Sequence, residues 1–123
     1  MVTEDYVSLE TAKLLKEKGF DEVCFKYALN GEIYNNGDFV ISHVDDVEVG
    51  IPTIQMAMKW LREVHNLHIQ SEITAWPRKG YFVEIYLYKN RHNNFEKVPF
   101  VEHKESYEEA CEAAIKHCLE NLI

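Results

Sequence analysis

Two stretches of strict alternation constrain this chain most. From Leu67 to Trp76, Leu67, Ile69, Ser71, Ile73 and Ala75 point one way, and His68, Gln70, Glu72, Thr74 and Trp76 the other. From Tyr81 to Tyr88, Tyr81, Val83, Ile85 and Leu87 alternate with Phe82, Glu84, Tyr86 and Tyr88. A period of two belongs to a strand with one buried face. Pro77-Arg78-Lys79-Gly80 lies between the two runs and has the residues of a turn, so the pair is expected to form an antiparallel hairpin. Residues 95–101 follow the polar turn 89–94 as a third strand. Pro99 has no N–H to give to a ladder, which assigns that strand to a sheet edge.

Helical patterns surround these strands. In Thr53–Asn66, TIQMAMKWLREVHN, the residues Ile54, Ala57, Met58, Leu61 and Val64 form one stripe, widened by Met56 and Trp60. Gln55, Lys59, Arg62 and Glu63 are left for water. Pro52-Thr53 opens this helix and Asn66 stops it. An earlier helix starts at the cap Ser8, buries Leu9, Ala12 and Leu15, and ends at Gly19. A last helix starts at the capping box Ser106/Glu109 and runs to about Asn121 with an apolar stripe that includes Cys111 and Cys118.

The region between the first two helices is less regular. Residues 22–28 alternate as a strand, Asn30-Gly31 is a hairpin signal, and 32–34 return. A second turn is expected over 35–38, a short strand over 39–41, an exposed acidic loop over 42–50, and a loosely held lead over 1–6. Tight turns between strands and helices at intervals imply an α+β fold: a single domain over 1–123, with an antiparallel sheet and about three helices mainly on one face, a two-layer sandwich.

Charge bears on function. The chain carries a formal −8. Residues 1–50 hold 11 Asp/Glu against 4 Lys/Arg, and residues 51–123 hold 10 against 9. Such a chain is repelled by phosphate backbones and anionic lipid. No stretch approaches the ~18–20 apolar residues of a membrane span. The N-terminus, MVTEDYVSLE, has acids where a secretory signal carries a basic and then an apolar run. Three cysteines, an odd count, suit free thiols in a reducing compartment, so a cytoplasmic location is expected.

The blocks Ile51-Pro52-Thr53, Trp60-Leu61-Arg62-Glu63-Val64-His65-Asn66 and Ser106-Tyr107-Glu108-Glu109-Ala110 carry a resemblance. Together with the alternating strand they resemble small open reading frames of gut Bacteroidales and their phages. Those share a P-T…W-L-R-E-x-H-N block and an S-Y-E-E-A C-terminal helix. The resemblance spans residues 8–20 and 51–123. It implies a phage or mobile-element origin and supplies no activity, cofactor or functional residue.

The residues that could act sit on the hairpin. If helices cover the aliphatic face, Trp76, Phe82, Tyr86 and Tyr88 look outward, with Arg78 and Lys79 nearby. Residues 76–97 hold five Lys/Arg against two Glu. Outward aromatics suit a self-association or protein-partner interface. With basic residues they would also stack single-stranded nucleic acid. If a helix or loop covers them, they are simply core.

Other chemistry has little support. His65 and His68 share a metal-ligand spacing only if the helix continues past Asn66, and His43 with Asp45 and Asp46 adds loop ligands without convergence, so surface histidines are expected. Cys111 and Cys118 would lie roughly 10 Å apart along a helix, too far for a disulfide. Glu72 and Glu84 are expected as cross-strand neighbours on a solvated face, and no glycine-rich phosphate loop occurs. The expectation is a non-enzymatic interaction protein with no metal and no cofactor.

Overall fold

A computed structural model describes residues 4–29, 32–41, 49–74, 79–89 and 94–123. The element order is α1 (Leu9–Glu17), β1 (Val23–Leu29), β2 (Glu32–Ile41), β3 (Val49–Ile51), α2 (Ile54–His65), β4 (Leu67–Thr74), β5 (Gly80–Tyr88), β6 (Phe95–Lys104) and α3 (Tyr107–His117). The fold is α+β, and all strand pairs are antiparallel. Among the described residues the strands divide into two three-stranded sheets, ordered β2-β1-β3 and β4-β5-β6. The contacts group into two compact units, Met1–Met56 and Ala57–Ile123, with the division inside α2.

In the first unit, Ser8 caps α1 by accepting from the Thr11 N–H at 3.2 Å. The helix closes with a Schellman motif. Phe20 N–H donates to the Leu15 carbonyl at 2.9 Å, and Gly19 N–H donates to Lys16 at 3.1 Å. Gly19 sits at φ +100, which a side chain rarely adopts, and Phe20 and Leu15 are both buried. The expected loose lead is instead tied down over residues 5–7. Val7 N–H donates to the Pro52 carbonyl, Ile54 N–H donates to Asp5, and the Tyr6 ring receives the Lys26 ammonium at 4.9 Å. That anchoring is long-range pairing, which local composition does not express.

Two further expectations change here. The turn over 35–38 becomes a bulge inside one ten-residue strand, β2: Asn35 pairs with Lys26 and Val40 with Cys24, and residues 36–39 lie in the irregularity between them. The loop over 42–50 ends in a strand: Val49, Gly50 and Ile51 pair with Ala28, Tyr27 and Lys26 and are buried. Three residues that include a glycine give no readable period, so only pairing with β1 reveals β3. The Asn30-Gly31 turn and His43, Asp45 and Asp46 lie outside the described residues.

In the second unit, the alternation sets the sheet as expected. β4 and β5 pair from Leu67↔Leu87 to Thr74↔Gly80 without a slip. α3 packs on all three strands of this sheet. Tyr107 on α3 meets the Tyr81 ring edge-on at 5.9 Å, which places α3 on the Tyr81, Val83, Ile85 face. Val83, Ile85, Ala110, Ala114, Ile115, Cys111 and Cys118 are fully buried. β6 is an edge strand with Pro99 exposed beside an irregularity between Glu84 and Ile85, as the missing N–H requires.

Helix ends follow local chemistry. Thr53 Oγ1 accepts from the Met56 N–H at 3.1 Å, and Asn66 stops α2 at φ 58. Ala57, Met58, Trp60 and Leu61 are buried while Val64 is exposed, so the stripe is narrower than the sequence suggests. Ser106 caps α3 by accepting from the Glu109 N–H at 3.1 Å. The chain beyond His117 continues as a π-helical turn over Cys118–Leu122.

Candidate functional site

Because side chains alternate across a strand, the face of β4-β5-β6 away from α3 follows from the register. It carries His68, Gln70 and Glu72 from β4, Phe82, Glu84, Tyr86 and Tyr88 from β5, and Phe95, Lys97, Val101 and His103 from β6. This is the face on which the aromatics were expected to look outward. Tyr88 is 46% exposed and Phe95 60%.

The aromatics are not one group. Phe82 and Tyr88 lie roughly 20 Å apart at 3.3 Å per residue. Tyr86 and Tyr88 gather with Phe95 at one end of the sheet. The Phe95 ring meets Tyr86 at 5.5 Å and 81°, and Tyr88 at 6.1 Å and 67°, both edge-to-face. His68 stands directly opposite Tyr86 in the ladder. His68, Gln70, Tyr86, Tyr88 and Phe95 line an open cleft of about 220 Å³. Lys79 precedes Gly80 at the opposite end, where it shares a separate depression with His103, Lys104, Glu105 and Glu109. Trp76 and Arg78 lie outside the described residues.

Phe95, with His68 and Gln70, joins the corner without having been expected there from the sequence. The signal was available: pairing Tyr88 with the first apolar residue after the polar turn 89–94 places Phe95 beside it. The observed register is Tyr88↔Phe95, closed by Lys89 N–H donating to the Asn94 carbonyl at 2.9 Å.

The polar groups around the corner are mostly committed to one another. Tyr86 hydroxyl donates to Glu84 Oε2 at 2.5 Å, and Lys97 Nζ donates to Glu84 Oε1 at 3.3 Å. The Tyr86 hydroxyl, and then Lys97, hold the Glu84 carboxyl below its ordinary range. The same bond to Glu84 pushes the Tyr86 hydroxyl up, so it stays protonated. Lys89 is paired with Glu96. Glu84 stands opposite Gln70 and not Glu72, whose oxygen accepts from Gln70 Nε2 at 3.1 Å. The two carboxylates are therefore diagonal neighbours, each with its own partners, and are not a coupled acid–base pair.

The remaining candidates resolve as packing. His65, expected at the surface, turns its imidazole against the Trp60 ring at 4.8 Å and 71°. Its Nε2 is buried with no hydrogen-bond partner among the described residues. Cys24, Cys111 and Cys118 are free and buried. Burial pushes the Cys24 thiol up to about 11 and Cys118 up to about 12, which makes both poor nucleophiles. Among the described residues no three His, Cys, Asp or Glu side chains converge as metal ligands. No helix of the described residues is long and apolar enough to cross a membrane.

Comparison with protein-family models, curated proteins and solved structures finds no match to any of them.

Proposed function

We propose that this chain is a non-enzymatic interaction protein, an accessory factor of phage or mobile-element origin acting in the cytoplasm. It works by binding protein, a second copy or another chain, through the aromatic corner of its C-terminal sheet. The observation that carries this reading is the cluster of half-buried Tyr86 with exposed Tyr88 and Phe95, ringed by the Glu84–Lys97 and Lys89–Glu96 pairs. A compact aromatic centre inside a polar rim is how protein interfaces concentrate their affinity. A charge pair at Tyr86 and Tyr88 would destroy the centre. Tyr88 is exposed and Tyr86 half-buried, so Tyr86→Glu with Tyr88→Glu is expected to spare the fold.

The alternative, single-strand nucleic-acid binding over 76–97, has weaker support. Lys89 and Lys97 are each tied to a glutamate, and Lys79 lies a sheet-length from the tyrosines. The face also carries Glu72 and Glu84.

Light scattering on the purified chain, with affinity purification from the source cell, tests the reading. Wild type should retain a second copy or a discrete partner that the double variant loses. A strictly monomeric wild type that holds no protein through these rings would contradict it. Adding an oligonucleotide at low salt should leave tryptophan fluorescence unchanged; quenching would favour the nucleic-acid alternative.

A further inference from the structure

We infer that the aromatic corner takes a lysine side chain of the protein partner, holding its ammonium group against the rings. This rests on the protein-binding reading above and names the chemistry that the corner recognises.

The walls fit a compact cation. Phe95 meets both Tyr86 and Tyr88 at steep angles, and the cleft of about 220 Å³ that the three rings line has room for a single long side chain. Ring faces carry negative potential and attract cations. That potential is raised at Tyr86. A phenol that donates to an anion gains electron density in its ring, and Tyr86 donates to the Glu84 carboxylate.

Charge favours the same occupant. None of the five lining residues is a lysine or arginine. The neighbouring cations at the rim are already paired, Lys97 with Glu84 and Lys89 with Glu96. Glu72 adjoins the cleft through Gln70, whose Nε2 it binds, leaving the Gln70 amide oxygen as an acceptor for an ammonium proton. Arginine also stacks on rings, but its planar fork is held best by a bidentate carboxylate, and both Glu84 oxygens are engaged.

The test is a ring-resonance NMR titration of the full chain with three capped tripeptides, Gly-Lys-Gly, Gly-norleucine-Gly and Gly-Arg-Gly. The lysine peptide should shift Tyr86, Tyr88 and Phe95 and bind on the order of fivefold more tightly than the uncharged norleucine peptide. Phe95→Leu, at a 60% exposed position, should remove that preference without unfolding the chain. Tyr86→Phe keeps the ring, drops the bond to Glu84 and should narrow the preference. Equal binding of lysine and norleucine peptides, tighter binding of the arginine peptide, or no shift at these rings would each overturn the assignment. If that happens while the chain still retains a protein that Tyr86→Glu with Tyr88→Glu releases, the lysine assignment falls and protein binding stands.

Discussion

His103 on β6 reaches across the intervening strand to Thr74 on β4, with Nε2 3.1 Å from Oγ1. Outer strands of a three-stranded sheet lie roughly 10 Å apart, so this contact needs a gap in the middle strand. Gly80 supplies it.

A side chain at Gly80 should therefore destabilise the second unit. A Cβ there would stand 2.4 Å from the Lys104 carbonyl oxygen and 2.9 Å from the His103 ring, at a φ of +146. Gly80→Ala is expected to cost about 1–3 kcal/mol through backbone strain, with displacement of His103 in addition. Denaturant unfolding checks this, and an unchanged midpoint would mean that the ring does not lie over the glycine.

Coverage by α3 makes a contrast between two isoleucines that share one face of the sheet. Ile85 is fully buried under α3, and Ile73 is 76% exposed. Ile85→Ala should cost about 2–5 kcal/mol, whereas Ile73→Ala should stay within about 0.5 kcal/mol of wild type. Comparable losses at both positions, measured in urea, would show that the far end of β4 is covered as well.

The buried thiols give a pH dependence. Cys24 and Cys118 have folded values of about 11 and about 12, raised from 9.0 by burial. Between pH 9 and these values the unfolded chain loses protons that the folded chain keeps, so stability should fall as pH rises above about 9. Below pH 9 the two thiols leave stability flat. In a thiol-reagent assay near pH 8 the native chain should react slowly and release all three cysteines on unfolding; fast labelling of the native chain would place a thiol at the surface.

The cap of α3 should behave as a single hydrogen bond. Ser106 Oγ accepts from the Glu109 N–H at 3.1 Å, and Ser106→Ala should cost about 1 kcal/mol, while Ser106→Asp should hold stability near wild type. Thermal melts of the two variants distinguish a cap from a general surface effect, in which both would behave alike.

The second unit was legible because each of its signals is local. Period-two alternation set β4 and β5, Pro99 marked the edge strand, and Ser106 marked the start of α3, all from neighbours within a few residues. The first unit was harder to read. β3 is three residues held by partners on β1, and the Asp5–Val7 segment is held by residues 52–54, some 45 positions along. The site was legible to the same degree. The open face and its tyrosines came from periodicity, but Phe95 required the turn to be closed in register. That Lys97 and Lys89 spend their charge on Glu84 and Glu96 is a matter of side-chain reach across strands, which composition counts cannot show.

The most direct measurement of the central claim is site-specific photo-crosslinking in the source cell. A benzoyl-phenylalanine at position 95 lies in the aromatic corner, and one at Glu10 lies on the exposed side of α1. The account predicts a discrete protein adduct from position 95, either twice the chain's mass or the chain plus one partner, and its loss when Tyr86→Glu and Tyr88→Glu are added. No adduct from position 95, or the same adducts from both positions, would contradict it.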